Sequence, residues 1–437
     1  MKRIFLFGFI SGFPWVLIGS ALSLWLKEND ISRSTIGWAG LIFGVYAINF
    51  LWAPFVDRIK IPFLTNTIGH RKSWIICMQF FILLSLLIWS FLNPIENLWL
   101  IVAIGLCIAI SSATQDITID ALRIEQINEN EGKIMAAGAA IQVVGWWTGY
   151  KIGGVISLVS AEFLQQKGFE NYWQLSFLIL SLIVLISSSL LLFIPEQSSN
   201  LRTSRQKNND NQLTNKFESR YGISKTFIWI YGTLVSPLIS FFKRNSFNVA
   251  IGLLSFIFLF KIGEAFLGRM SIIFYKEIGF SKTDIALYSK GIGWLTTITF
   301  TLLGGLFAIK MGLIRAMFVS GIIMALTNVM FSVLAWVGAS EILFAFTVLI
   351  DDLAAAFATV AFVAFISALV DRTYTATQFA LLASIGTAGR TLFASSSGSL
   401  VDWLNGDWGI FFIITALMVI PSLLCLLSIK NKLKINE

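Results

Sequence analysis

Residues 196–222 read EQSSNLRTSRQKNNDNQLTNKFESRYG. The run is polar almost throughout and offers too little apolar surface to build a core, which predicts a flexible linker. What it separates decides the fold. Six long apolar stretches precede it, near 4–26, 34–56, 73–92, 97–121, 134–160 and 172–194. Six follow, near 247–274, 284–309, 312–336, 340–369, 375–400 and 408–429. Each approaches the roughly 20 residues that a helix needs to cross the hydrocarbon of a bilayer. The expected fold class is therefore an all-α membrane protein of about twelve transmembrane helices. Two six-helix halves, 1–195 and 247–437, are joined by a segment at 196–246. Within that segment, apolar residues recur at helical spacing over 224–244, from Phe227 and Ile230 to Phe241 and Phe242, and Pro237 should kink the helix they form. Such a helix could lie on the inner leaflet or pack beneath the bundle.

Composition agrees. The 437 residues are 56% hydrophobic and 13% charged, with a mean hydropathy of +0.79. Soluble domains carry about 25% charged residues, enough to cover a wet surface. The net charge of +8 would suggest nucleic acid in a soluble protein. Here its distribution explains it. If the N-terminus is cytoplasmic, 22 of the 32 Lys and Arg fall in inner loops and termini, and only Lys27, Arg33, Lys167, Lys276 and Lys282 fall in outer loops. That bias orients both termini toward the cytoplasm by the positive-inside rule. The opening Met1-Lys2-Arg3 with its apolar run lacks a convincing small-x-small cleavage site and reads as a retained first helix. Cys77, Cys107 and Cys425 stand far apart in apolar runs and read as small fillers.

A charge at the bilayer centre costs about 2.5–3.5 kcal/mol on insertion scales. Several sit within these spans nonetheless. Gln115, Asp116 and Asp120 lie in the fourth, and the two Asp share a helix face. Lys151 lies in the fifth. Lys261, Glu264 and Arg269 lie in the seventh, Lys290 in the eighth, Asp351 and Asp352 in the tenth, and Arg390 in the eleventh. They could lock helices together as ion pairs, above all Lys261 with Glu264. Taken as a set, with both signs in both halves, they fit a wet cavity that binds a polar solute. Carboxylates there could carry protons, and Asp116, Asp120, Glu264 and Asp351 are the candidates. His70, the single His, reads as a solvated loop residue. No GxxxxGK[ST] phosphate loop, His/Cys metal cluster or Ser-His-Asp set occurs, so no ATP-driven or enzymatic mechanism is visible and no cofactor is implied. An ion gradient is the expected energy source.

The motifs are more specific. Ser11-Gly12-Phe13-Pro14 opens the first span. Phe50-Leu51-Trp52-Ala53-Pro54 with Asp57-Arg58 follows the second, and Gly69, Arg71 and Lys72 complete that basic loop. The fourth span carries Ser112-Ala113-Thr114-Gln115-Asp116-Ile117 with Asp120-Ala121. Later come Lys261-Ile262-Gly263-Glu264-Ala265-Phe266, Ser289-Lys290-Gly291, and Ala376-Thr377-Gln378-Phe379-Ala380-Leu381-Leu382 with Gly389-Arg390. In this order the chain resembles the AmpG-type muropeptide permeases of the major facilitator superfamily, to which acetyl-coenzyme A transporters are distantly related. Asp352 and Arg269 depart from the family pattern. The resemblance implies proton-driven uptake of anhydro-muropeptides, cell-wall turnover fragments, from periplasm to cytoplasm across a bacterial inner membrane by a monomer. On that reading Asp116, Asp120, Glu264 and Asp351 couple protons. Lys261, Lys290 and Arg390 hold substrate carboxylates, and Gln115 and Gln378 bond sugar hydroxyls. Asp57, Arg58, Gly69, Arg71 and Lys72 form a gating loop motif. Another anionic cargo (an acyl-coenzyme A, a sugar phosphate or a peptide) is an alternative, as is a membrane sensor that binds wall fragments without moving them.

Overall fold

A computed structural model describes residues 1–31, 39–127, 131–196, 200–221, 225–280, 293–394 and 396–433. Among these residues every regular element is helical. Eight helices are long and apolar enough to cross a bilayer: Lys2–Glu28, His70–Trp89, Pro94–Glu125, Tyr172–Leu192, Phe247–Ser271, Leu313–Val337, Glu341–Leu369 and Trp408–Lys432. Four expected spans fall short of that measure. Two are represented by the shorter apolar helices Ile42–Leu51 and Thr296–Met311, beside segments outside the described residues. The other two, Gly132–Gln166 and Thr375–Ala394, are long but rich in Gly, Thr and Gln. Large apolar side chains such as Phe80, Trp99, Leu182, Ile186, Leu326 and Leu424 are exposed along the helices. A surface of that kind is stable against lipid tails and not against water.

The chain divides into two compact units. One comprises Met1–Gln126, Gly145–Leu238 and Asp371–Ala380; the other comprises Ile127–Val144, Ile239–Val370 and Leu381–Glu437. In lipid, helix association depends on close van der Waals packing, and small residues let backbones approach. The first unit uses Gly145, Gly149 and Gly153, one turn apart on Gly132–Gln166, against the helix Lys2–Glu28. A Cβ on Gly145 would stand 2.3 Å from the Phe5 carbonyl oxygen, and one on Gly149 would stand 2.4 Å from that of Phe9. Gly12 reciprocates, since a Cβ there would meet the Trp146 carbonyl oxygen at 2.0 Å. In the second unit, Gly389 approaches Phe258 and Gly263 approaches Thr415 in the same manner.

Each unit also has an aromatic core. Trp25, Trp89, Trp173 and Phe177 pack together in the first, and Glu28 accepts bonds from Trp173 Nε1 at 2.6 Å and Tyr172 Oη at 2.9 Å. Phe274, Phe331, Trp408 and Phe412 pack in the second, where Glu277 accepts from Trp408 Nε1 at 2.8 Å.

Two expectations need correction. The polar run is not a flexible linker across its length, because Asn200–Tyr221 is a helix. It contains neither Gly nor Pro, and its side chains find partners in the first unit. Asp210 pairs with Arg58 at 2.8 Å, Gln206 donates to the Thr373 carbonyl at 2.9 Å, and Asn209 donates to Tyr374 Oη at 2.5 Å. His70 is not a solvated loop residue. It is buried at the start of His70–Trp89, and its Nε2 lies 2.8 Å from the Val56 carbonyl oxygen. Pro237 has the expected consequence, since Lys225–Leu234 and Ser236–Asn245 are separate helices.

The glycine contacts give a direct test. Gly149→Val should destabilise the detergent-solubilised protein by at least about 2 kcal/mol, as forced overpacking does. Gly154→Ala should be neutral, because nothing lies within 4 Å of the added methyl. A thermal-unfolding comparison of the two variants checks both.

Candidate functional site

Asp57 lies in the last turn of the short helix Ala53–Arg58 and is buried. Its Oδ1 accepts from Arg71 Nη2 at 2.6 Å and from the Ala376 amide at 3.2 Å. Its Oδ2 accepts from the Thr377 amide at 2.8 Å and the Thr377 hydroxyl at 2.5 Å. The carboxylate thus caps the N-terminus of the helix Thr375–Ala394, where unpaired amides and the positive end of the helix dipole favour an anion. Arg71 is fully buried and also pairs with Glu125 at 2.6 Å. Arg58 donates to Asp210 and to the Gly232 carbonyl, both at 2.8 Å.

Gly69 has φ +102°, which other residues rarely adopt, and a Cβ there would collide with Glu196. Glu196 accepts from the amides of Arg71 at 3.0 Å and Lys72 at 2.9 Å, capping His70–Trp89, while Lys72 Nζ reaches the carbonyls of Leu192 and Ile194. Asp57, Gly69, Arg71 and Lys72 lie in one network of the first unit, and Arg58 pairs separately with Asp210. Sequence reasoning missed their partners Thr377, Glu125, Glu196 and Asp210, which stand far away along the chain.

The membrane-depth candidates form two separate groups. On Pro94–Glu125, the half-buried Asp116 accepts from Ser11 Oγ at 2.5 Å, and Asp120 pairs with Arg123 at 3.2 Å. Gln115, one position away, is fully buried. It accepts from Gln79 Nε2 at 2.6 Å and donates to the Ile10 carbonyl at 2.8 Å, so both ends of its amide hold helices together. Gln378 is likewise committed, accepting from the Asp371 amide at 2.8 Å and donating to the Pro237 carbonyl at 2.9 Å.

In the second unit, the seventh span breaks between Phe247–Leu259 and Ile262–Glu277, and Lys261 sits at the break with φ −106° and ψ 14°. The break sets its ammonium beside Glu264 at 3.1 Å and Thr359 Oγ1 at 2.8 Å. Asp351 accepts from Thr327 Oγ1 at 3.1 Å. Arg390 is exposed, as is Arg269. Asp352 lines a cavity of about 430 Å³ with Thr296, Glu341 and Phe346. Lys290 lies outside the described residues. Geometry thus joins Lys261, Glu264 and Thr359 in one cluster, with Asp351, on the same helix as Thr359, held by Thr327. The arrangement suits binding of a charged solute and exchange of a proton.

A profile of the Major Facilitator Superfamily matches residues 4–350. A putative transporter AmpG 4 from Rickettsia felis is 32% identical, with 99% of this chain and 97% of the relative covered. The chain belongs to the AmpG-type transporters of the major facilitator superfamily. It is a multi-pass membrane transporter for a small molecule, not an enzyme. Another relative is the anhydromuropeptide permease of Escherichia coli strain K12, 29% identical over 98% of this chain and 79% of the relative. Among solved structures, the proton:xylose symporter XylE bound to 6-bromo-6-deoxy-D-glucose aligns with TM-score 0.66 at 15% identity, covering 98% of this chain and 94% of that one. A bacterial homologue of the iron transporter ferroportin in an outward-facing state aligns with TM-score 0.64 at 14% identity, covering 98% and 99%. At such identities the likeness establishes the shared fold.

The AmpG-type chain relies on Asp57 to neutralise Arg71. Removing one partner of a buried pair costs about 3–5 kcal/mol. Asp57→Ala should therefore lower thermal stability by roughly that amount, and Thr377→Val, which removes one hydroxyl donor, by about 1 kcal/mol. Thermal unfolding of the two purified variants measures the ratio.

Proposed function

We propose that the chain is a proton-coupled importer of anhydro-muropeptides, carrying them from periplasm to cytoplasm across a bacterial inner membrane as a monomer with both termini cytoplasmic. The observation that carries this reading is similarity, over 98% of this chain, to a permease named for that solute, combined with charged groups held inside both units. An anhydro-muropeptide carries sugar hydroxyls and peptide carboxylates, and it cannot cross lipid unaided. Lys261 and Arg390, with Lys290, meet the carboxylates. Asp116, Asp120, Glu264 and Asp351 are the proton carriers. The hydrogen bonds made by Gln115 and Gln378 argue for a structural role in place of sugar binding.

The halves 1–195 and 247–437, joined by 196–246, alternate the exposure of the solute site. Asp57, Arg58, Gly69, Arg71 and Lys72 gate that exposure, because the Asp57 bonds to the Thr375–Ala394 helix must break for that end of the helix to move.

Competition against labelled anhydro-muropeptide tests the cargo. Unlabelled muropeptide should displace it from the purified chain, while an acyl-coenzyme A, a sugar phosphate and a plain peptide should not; displacement by acyl-coenzyme A alone would replace this reading. Lys261→Gln and Arg390→Gln should each weaken binding at least tenfold. Asp351→Asn and Asp116→Asn should each leave binding within about threefold, while pH-driven uptake falls at least tenfold in one of them. Full coupling in both would remove these two carboxylates as carriers.

A further inference from the structure

Asn200–Tyr221 is attached to the first unit by one face. Over residues 203–214, Gln206, Asn209, Asp210, Leu213 and Thr214 are half-buried and every other side chain is exposed. Positions three and four apart share a helix face, so these five form one stripe. Leu213 is the single apolar residue of 203–214, so hydrogen bonds and an ion pair make most of the attachment. Gln206 Nε2 donates to the Thr373 carbonyl at 2.9 Å and to the Asp57 carbonyl at 3.4 Å. Asn209 Nδ2 donates to Tyr374 Oη at 2.5 Å. The Asp210 carboxylate accepts from Arg58 Nη2 at 2.8 Å and from Nη1 at 3.2 Å. Gly232 leaves room for that pairing, since a Cβ there would stand 2.9 Å from Arg58 Nη2 and 3.2 Å from Asp210 Oδ1.

The partners of this stripe lie on both sides of a single junction. Asp57 and Arg58 are in the last turn of Ala53–Arg58, whereas Thr373 and Tyr374 lead into Thr375–Ala394, the helix whose first turn Asp57 caps. The junction is therefore tied twice, once through the Asp57 carboxylate and again through a helix laid across it. The two ties differ in kind. The side chain of Asp57 is 1% exposed, whereas that of Asp210 is 41% exposed. A polar stripe that leaves its site regains hydrogen bonds to water, so its net hold is small and it detaches without unfolding the spans. We infer that Asn200–Tyr221 is a detachable latch on this junction. Docked, it keeps the start of Thr375–Ala394 against Ala53–Arg58, and it lets go before that end of the helix moves. Gln206, Asn209 and Asp210 are then positioning residues for transport that touch no solute. The inference rests on the alternating exposure proposed above and not on which solute is carried.

The first test needs no solute. It uses the full chain in nanodiscs with Cys77→Ser, Cys107→Ser, Cys425→Ser and Thr373→Cys. Thr373 is buried, and it meets the stripe through its carbonyl, which the substitution keeps. Asp210→Asn should speed maleimide labelling of the thiol at position 373 at least tenfold. Asp210→Glu, which keeps the charge, should speed it less than threefold, and Asn211→Ala, on the exposed face, less than twofold. Thermal unfolding controls for folding, and Gln206→Ala, with the same expected acceleration, serves if Asp210→Asn fails to fold. Labelling at the parent rate would overturn the latch. Uptake then separates a latch from a passive cover. Gln206→Cys and Thr373→Cys, bridged by a short bis-methanethiosulfonate, should lower gradient-driven uptake of labelled anhydro-muropeptide into proteoliposomes at least tenfold, and a reductant that opens the bridge should restore it. Bridged protein that transports at the unbridged rate would overturn the latch while the muropeptide reading stands. No uptake by the unbridged chain would overturn the muropeptide reading, and the labelling rates would still decide the latch.

Discussion

A charge withdrawn from water inside an apolar bundle must find its counter-charge and its hydrogen bonds within that bundle. Arg71 shows the constraint at its strictest. It is fully buried, and it is tolerated because Asp57 and Glu125 both lie 2.6 Å away. Asp57 in turn has its remaining acceptor capacity filled by amides of the Thr375–Ala394 helix and by Thr377. Shifting any one of these groups leaves another unpaired, so the network behaves as a unit. The same reasoning sorts the membrane-depth charges. Asp120 is partnered by Arg123 and Lys261 by Glu264, whereas Asp116 rests against one hydroxyl and Arg390 is exposed. We propose that groups held this loosely, in a bundle that otherwise pairs its charges tightly, are where a solute and a proton have room to act.

Packing determines where that room is. Gly145, Gly149 and Gly153 press one backbone onto another, so the large neighbours Trp146, Trp147 and Tyr150 project from a helix that cannot withdraw. On the opposite side of the same logic, Trp25, Trp89 and Trp173 fill the core, and the indole N–H groups of Trp89 and Trp173 are spent on fixed partners. Rigid glycine contacts and a sealed core give the first unit the stiffness that a binding surface requires. In the second unit the break at Lys261 does comparable work, turning one span into two helices and setting an ammonium at their junction.

Much of this was legible in the sequence, and the exceptions have physical causes. Twelve apolar runs and the motif strings were enough for the fold class and the family, because hydrophobic length and local spacing are one-dimensional signals. Asp57 and Arg71 were found through such a string. Thr377 was not tied to them, since its partner lies 320 residues away and only folding joins the two. Gln115 and Gln378 were read as sugar ligands from their burial and their place in the motif strings. Their amides are bonded to backbone carbonyls and, for Gln115, to a neighbouring Gln, partners that only the fold reveals. The helix at Asn200–Tyr221 was hidden by its polarity, although the lack of Gly and Pro was a usable sign.

The central claim is that a proton gradient drives this chain to import anhydro-muropeptide. The most direct measurement is uptake of labelled anhydro-muropeptide into sealed proteoliposomes containing the purified protein, with an inward proton gradient imposed and then collapsed by a protonophore. The account predicts accumulation above the external concentration while the gradient lasts and efflux when it collapses. Binding without internal accumulation, or uptake that ignores the gradient, would contradict it.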